Sequence, residues 1–98
     1  MEKDQKLEWA IAAVIREARE SAKLTQGQLA GFAGLSDSYI ALVEQAATGV
    51  SIASLAQMAA VLKVRPSELM RRIEEELEHG PRSPERAPGR PRKKEKPA

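Results

Sequence analysis

Residues 25–44 read TQGQLAGFAGLSDSYIALVE, and this stretch decides the fold. Thr25 followed three residues later by Gln28 is the pattern of a helix that begins with a capping box. Gly34 stands where a left-handed residue ends that helix, and Ser36 is suited to be the N-cap of the next one. The stretch therefore predicts two short helices joined by a tight turn.

Helical patterns also occur on both sides of this pair. Apolar residues recur at spacings of three and four in residues 7–20 and again in the segments that follow Ser51 and Pro66. Ser51 is a suitable N-cap, and proline is favoured in the first turn of a helix. No alternating apolar run predicts a strand. We therefore expect an all-α domain of five helices over residues 5–78.

The composition excludes several classes of protein. The chain of 98 residues has no cysteine and one histidine, His79, which excludes a disulfide framework, a thiolate zinc site and a Ser-His-Asp triad. Aromatic residues make up only 3%, so the core must be aliphatic. No apolar run of about 18 residues predicts a membrane span, and residues 1–4 do not resemble a signal peptide. We expect a cytoplasmic protein without catalytic activity, cofactor or metal.

Charge is distributed unequally along the chain. Residues 79–98 contain seven basic and two acidic side chains, a net charge of +5, whereas residues 1–78 carry −3. Five of the six prolines also lie in residues 79–98. Such a segment cannot bury enough apolar surface to offset an ordering entropy of about 1–2 kcal/mol per residue. We expect a disordered tail, and a basic tail on an acidic body indicates an acidic partner such as nucleic acid.

The order of motifs over residues 11–70 resembles the Cro and phage-repressor family, the XRE-type helix-turn-helix regulators. The motifs that carry this resemblance are Ile15-Arg16, Leu24-Thr25-Gln26, Leu29-Ala30, Gly34-Leu35-Ser36, Ser38-Tyr39-Ile40, Val43-Glu44, Val50-Ser51-Ile52 and Ser67-Glu68-Leu69. In this fold the second helix of the pair enters the major groove of double-stranded DNA. The resemblance implies a sequence-specific transcriptional repressor of bacterial or phage cytoplasm, associated with the nucleoid.

The resemblance also implies roles for individual residues. Gln26, at the start of the second helix, would bind backbone phosphate together with the N-terminal amides of that helix, and Thr25 beside it is a further candidate DNA contact. Arg19 and Glu44 would form an internal salt bridge, the alternative being two independent surface charges. The residues that would contact the bases or the adjoining backbone are Ser36, Asp37, Ser38, Tyr39, Ala41, Leu42, Gln45 and Thr48.

The predicted recognition helix departs from the family because it lacks positive charge. No lysine or arginine occurs between Lys23 and Lys63, although phosphate neutralisation supplies most non-specific affinity. Asp37 could accept a hydrogen bond from a cytosine amine, and Leu42 could contact a thymine methyl group. The alternative is a protein-interaction module that has lost base reading and touches DNA through its tail only. Ala46 replaces a glycine of the family, which predicts a different end of the third helix.

The tail contains a short stretch, Pro88-Gly89-Arg90-Pro91-Arg92-Lys93-Lys94, that resembles an AT-hook. In that motif arginines enter the narrow, negative minor groove of A·T-rich DNA while glycine and proline keep the backbone extended. Arg90, Arg92, Lys93 and Lys94 are therefore candidate DNA contacts. The alternative is a generic basic tail that binds phosphates without sequence preference.

Two sets of apolar residues could pack either within the domain or against a second subunit. Trp9 lies one residue off the apolar stripe of the first helix, so it packs either on the fifth helix or on a second subunit. Met70, Ile73 and Leu77 lie on the fifth helix. They are either core residues or the interface of a homodimer, the form in which repressor-type proteins bind two-fold operators.

Overall fold

The computed structural model describes residues 5–84, which form five helices and no strand. The helices are α1 (Lys6–Ser21), α2 (Gln26–Ala33), α3 (Asp37–Glu44), α4 (Ile52–Leu62) and α5 (Pro66–Glu78). The predicted all-α architecture is confirmed. No helix in the described part is both long and apolar enough to cross a membrane. The predictions for Arg90, Arg92, Lys93 and Lys94 lie outside the described residues.

Four of the helices begin at the residues that the sequence indicates. The hydroxyl of Thr25 accepts the amide of Gln28 at 3.0 Å, and the side chain of Gln28 accepts the amide of Thr25 at 2.9 Å, which completes the capping box. Ser36 and Ser51 each accept an amide three residues on, at 3.0 Å. Pro66 occupies the first turn of α5. Because these capping residues and Pro66 lie within one turn of the helix start, the sequence alone indicates where these four helices begin.

Four helices also end alike, with a residue in the left-handed conformation. These residues are Lys23, Gly34, Ala46 and Lys63, with φ between 59° and 74°. At each end two backbone hydrogen bonds run back to the last turn, from the left-handed residue and from the residue that follows it. The predicted left-handed cap at Gly34 is confirmed. Ala46, at the end of α3, adopts the left-handed conformation that favours glycine.

The core is aliphatic, as the composition predicts. α1 packs on α3 and α5, α2 on α3 and α4, and α4 on α5. Within this cluster Ile73 is 2% exposed and Leu77 packs against its edge, whereas Met70 is exposed. The assignment of Ile73 to a dimer interface is therefore wrong, because its side chain is enclosed within its own domain. The largest fully buried apolar residues are Ile15, Leu29, Ile40, Val43, Met58, Leu69 and Ile73.

The folded body continues past α5. Gly80 has a φ of +82°, which turns the chain, and Pro81 is buried. Trp9 is half-buried and faces this segment across a cavity of about 50 Å³. The residues that line the cavity are Trp9, Ala12, Ala13, Arg16, Glu44, Arg82 and Pro84. Residues 79–84, which the sequence analysis assigns to the tail, therefore lie along α1 and reach the end of α3.

Candidate nucleic-acid interface

α2 and α3 form the helix pair that the sequence predicts. Leu29 and Ala30 of α2 and Ile40 of α3 are fully buried. Alanine at position 30 lets the two helices approach closely, and Gly34 makes the sharp turn between them. The inner side of α3 is therefore fixed by packing, and its outer side is left available for a partner.

The outer side of α3 carries most of the residues assigned to base reading. Positions 37, 38, 41, 42 and 45 follow helical spacing and so share one side. Tyr39 lies on the inner side instead, where it packs against the core and its hydroxyl donates to the Gly49 carbonyl at 3.5 Å. The side chain of Tyr39 is half-buried there, and its assignment as a DNA contact stays a prediction. The assigned residues that are exposed or half-buried at the surface are Ser36, Asp37, Ser38, Ala41, Leu42, Gln45 and Thr48.

A buried carboxylate lies behind this surface. Glu44, the last residue of α3, is only 1% exposed. Arg19 of α1 donates from Nε and Nη2 to its two oxygens at 2.7 and 2.9 Å. Arg16 also donates from Nη2 to the backbone carbonyl of Glu44 at 3.3 Å. The salt bridge expected between Arg19 and Glu44 is thus present, and it joins α1 to α3.

The ion pair between Arg19 and Glu44 is supported by a further hydrogen bond from Arg19. Arg19 also donates from Nη1 to the carbonyl of Leu24 at 2.8 Å, so its guanidinium contacts both the α1–α2 loop and α3. The hydrogen bond to the Glu44 carboxylate raises the pKa of Arg19 above its ordinary value, against the opposing effect of burial. Because a buried charge is costly unless it is paired and hydrogen-bonded, this arrangement makes Arg19 and Glu44 mutually dependent.

Gln26, assigned to phosphate binding, is held by the same carboxylate. Its Nε2 donates to Oε1 of Glu44 at 3.0 Å, and its side chain is half-buried. An amide nitrogen has two N–H groups, so one remains for another acceptor. The exposed Thr25 beside it uses its hydroxyl oxygen to cap α2. Nothing in the local sequence pattern indicates the contact between Gln26 and Glu44, because it joins residues 18 positions apart.

Asp37 lies against the first turn of α2. A methyl group built on Gly27 would be 3.4 Å from Oδ2 of Asp37 and 3.9 Å from its Oδ1 and Cγ. The carboxylate of Asp37 therefore lies beside the first turn of α2, at the end of that helix whose partial positive charge favours an anion. Helical spacing in the sequence does not predict this contact, because it does not describe how two helix N-termini are placed relative to each other.

The arrangement of α2 and α3 is that of a DNA-binding helix-turn-helix. A family model described as "Helix-turn-helix domain" matches residues 10–73. The chain therefore belongs to the helix-turn-helix domain family, as its motifs predict. No curated protein matches the sequence at a significant level.

A solved structure supports the fold. The crystal structure of the clp gene regulator ClgR from Corynebacterium glutamicum is similar to this chain with a TM-score of 0.70. The similarity covers 74% of this chain and 78% of that one, at 22% sequence identity. At this identity the similarity establishes the fold. Within residues 5–84 no group of three or more His, Cys, Asp or Glu side chains is placed to hold a metal ion.

Proposed function

We propose that this protein is a transcriptional repressor that inserts α3 into the major groove of double-stranded DNA. The observation that carries the proposal is the rigid mounting of α3. Its inner residues Ile40, Val43 and Glu44 are at most 1% exposed, and Glu44 is bonded to α1 and α2. A helix that reads base edges must keep its outer side in one orientation, and this network supplies that constraint.

Contacts to the DNA backbone would come from two places. The first is the start of α2, where free N-terminal amides and the remaining N–H of Gln26 suit a phosphate. The second is the basic segment after Pro84, which carries six basic and two acidic side chains. Pro84 shares a cavity with Arg16 and Glu44, so the chain leaves the described body beside the end of α3. Tethering at this point keeps the tail cations at high local concentration near bound DNA.

The protein would act as a homodimer on two-fold operators, with half-sites about one DNA turn apart. Of the three predicted interface residues, Met70 is the one whose side chain is exposed. A regulator of this kind would work in the cytoplasm of a bacterium or phage-infected cell, at the nucleoid.

A second candidate function is protein binding through the same surface. It is favoured by the chemistry of α3, whose outer side combines the acid Asp37 with Leu42, a leucine that is 44% exposed. No lysine or arginine lies between Lys23 and Lys63 to neutralise phosphates there. Under this alternative the tail alone would contact DNA, and it would do so without sequence preference.

The two functions are separated by two full-length variants in a fluorescence anisotropy titration. In the first variant the six basic residues after Pro84 become glutamine. In the second, Ser38→Ala and Leu42→Ala alter the outer side of α3 and leave the tail intact. Binding is measured over a salt series on a panel of duplexes that includes mixed and A·T-rich sequences.

The proposal predicts different losses for the two variants. The tail variant should bind more weakly, and its slope of log K against log salt concentration should become shallower by about 4 to 5. Its order of preference among the duplexes should persist. The α3 variant should keep the salt slope and lose the ranking. If the ranking disappears with the tail cations instead, α3 does not read DNA and protein binding becomes the favoured function.

A further inference from the structure

The carboxylate of Asp37 occupies a position that bears directly on DNA binding. We propose that Asp37 is a negative determinant of DNA affinity, because it holds its own charge against the turn of α2 where a backbone phosphate would bind. This inference rests on the proposed function and deepens it. It assigns Asp37 a role opposite to that of a base contact.

A carboxylate lies on each side of the start of α2, the place where a phosphate would bind. Oδ2 of Asp37 lies 3.4 Å from the place of a Cβ on Gly27, the second residue of that helix. On the inner side of the same turn, Gln26 is bonded to Glu44 at 3.0 Å. The start of α2 is thus flanked by two carboxylates. They differ in that Glu44 is paired with Arg19, whereas Asp37 forms no salt bridge with another residue of the described part.

A phosphate and a carboxylate compete for the same positive end of a helix. A phosphate that approaches α2 would meet the charge of Asp37 at close range, and like charges placed together at an interface are strongly unfavourable. The repulsion does not depend on which bases are nearby. Asp37 therefore lowers affinity for all duplexes, so that stable binding depends on the basic tail and on a second copy of the domain.

Base reading by Asp37 would have the opposite signature. A carboxylate that accepts a hydrogen bond from cytosine strengthens binding only where that cytosine is present. Loss of the carboxylate would then weaken binding to some duplexes and leave the others unchanged. The sign of the effect of one substitution consequently distinguishes repulsion of phosphate from recognition of a base.

The test is Asp37→Asn in the full-length protein, titrated by fluorescence anisotropy against the same panel of duplexes. Asparagine keeps the size of the side chain and removes its charge, and Ser36 still caps α3. The matched control is Glu17→Gln, an equal change in net charge at an exposed position in the groove between α1 and α5. Asp37→Ser serves as a second variant, and circular dichroism shows that each variant is folded.

Asp37→Asn and Asp37→Ser should raise affinity about ten-fold for every duplex at low salt. The gain should shrink as salt rises, because the two charges are partly screened. Glu17→Gln should change affinity less than about two-fold, since Glu17 faces the groove between α1 and α5 and is not one of the carboxylates beside the start of α2. This combination supports the proposal.

Four results would overturn it. Equal binding by wild type and Asp37→Asn would remove the role of Asp37 and leave the proposed function standing. A loss of affinity confined to duplexes with one particular C·G pair would show that Asp37 reads cytosine. A gain by Glu17→Gln equal to that of Asp37→Asn would assign the effect to net charge. If no variant binds any duplex, the proposed function fails, and the expected gain fails with it.

Discussion

The clearest quantitative consequence of the fold concerns the ion pair between Arg19 and Glu44. Glu44 is 1% exposed and receives N–H donors from Arg19 at 2.7 and 2.9 Å and from Gln26 at 3.0 Å. The substitution Arg19→Met keeps the long apolar stem and removes all of the charge. It leaves the buried carboxylate with the hydrogen bond from Gln26 and with one more distant cation, since Nε of Arg16 lies 3.7 Å from Oε1 of Glu44.

The expected loss in the free energy of unfolding is large for a domain of this size. Removing one partner of a buried pair costs about 3–5 kcal/mol, whereas a small domain is stable by about 5–15 kcal/mol in all. Glu44→Gln should cost less, because Arg19 keeps its bond to the Leu24 carbonyl at 2.8 Å and is itself 13% exposed. The double variant should lose less than the sum of the two single variants, since the uncompensated charge is then absent.

The assay is urea denaturation at pH 7, followed by far-ultraviolet circular dichroism. Arg71→Met is the control, because Arg71 pairs with Glu68 and Glu75 on the exposed side of α5 and surface pairs contribute little. A loss for Arg19→Met no greater than that for Arg71→Met would refute the reasoning. Strictly additive losses in the double variant would contradict the mutual dependence of Arg19 and Glu44. If Arg19→Met does not fold, recovery of folding in Arg19→Met/Glu44→Met supports it.

Two further predictions concern stability. Lys63 is exposed and has a φ of +63°. Lys63→Gly should therefore relieve about 1 kcal/mol of backbone strain and raise Tm by about 4–8 °C. An unchanged or lower Tm would contradict this prediction. Hydrogen bonds from Arg71 and Arg72 lower the pKa of Glu68 from 4.5 to about 2. The ionised Glu68 therefore stabilises the fold fully above pH 4.5, and this stabilisation is lost as the pH falls towards 2. Glu68→Gln should therefore flatten that part of a plot of urea midpoint against pH, and an unaltered acid limb would argue against the pairing.

The sequence predicts those features of the fold that depend on contacts between residues close together in the chain. Thr25, Ser36 and Ser51 bond amides only three residues away, so their capping roles can be read directly from the chain. Gly34 indicates its own left-handed conformation for the same reason. Lys23, Ala46 and Lys63 adopt that conformation without being glycine. The sequence does not indicate this conformation there, because these residue types rarely adopt a positive φ.

The candidate site divides in the same way. Helical spacing by itself determines that Asp37, Ser38 and Leu42 share one side of α3, and the family motifs by themselves indicate that Arg19 and Glu44 are paired. Only the tertiary structure decides that Glu44 also engages Gln26, and that Asp37 lies against Gly27. Both contacts depend on how α2 and α3 cross, which is set by the burial of side chains from several helices at once. Local sequence therefore determines which residues face a partner, while packing decides which charges those residues meet.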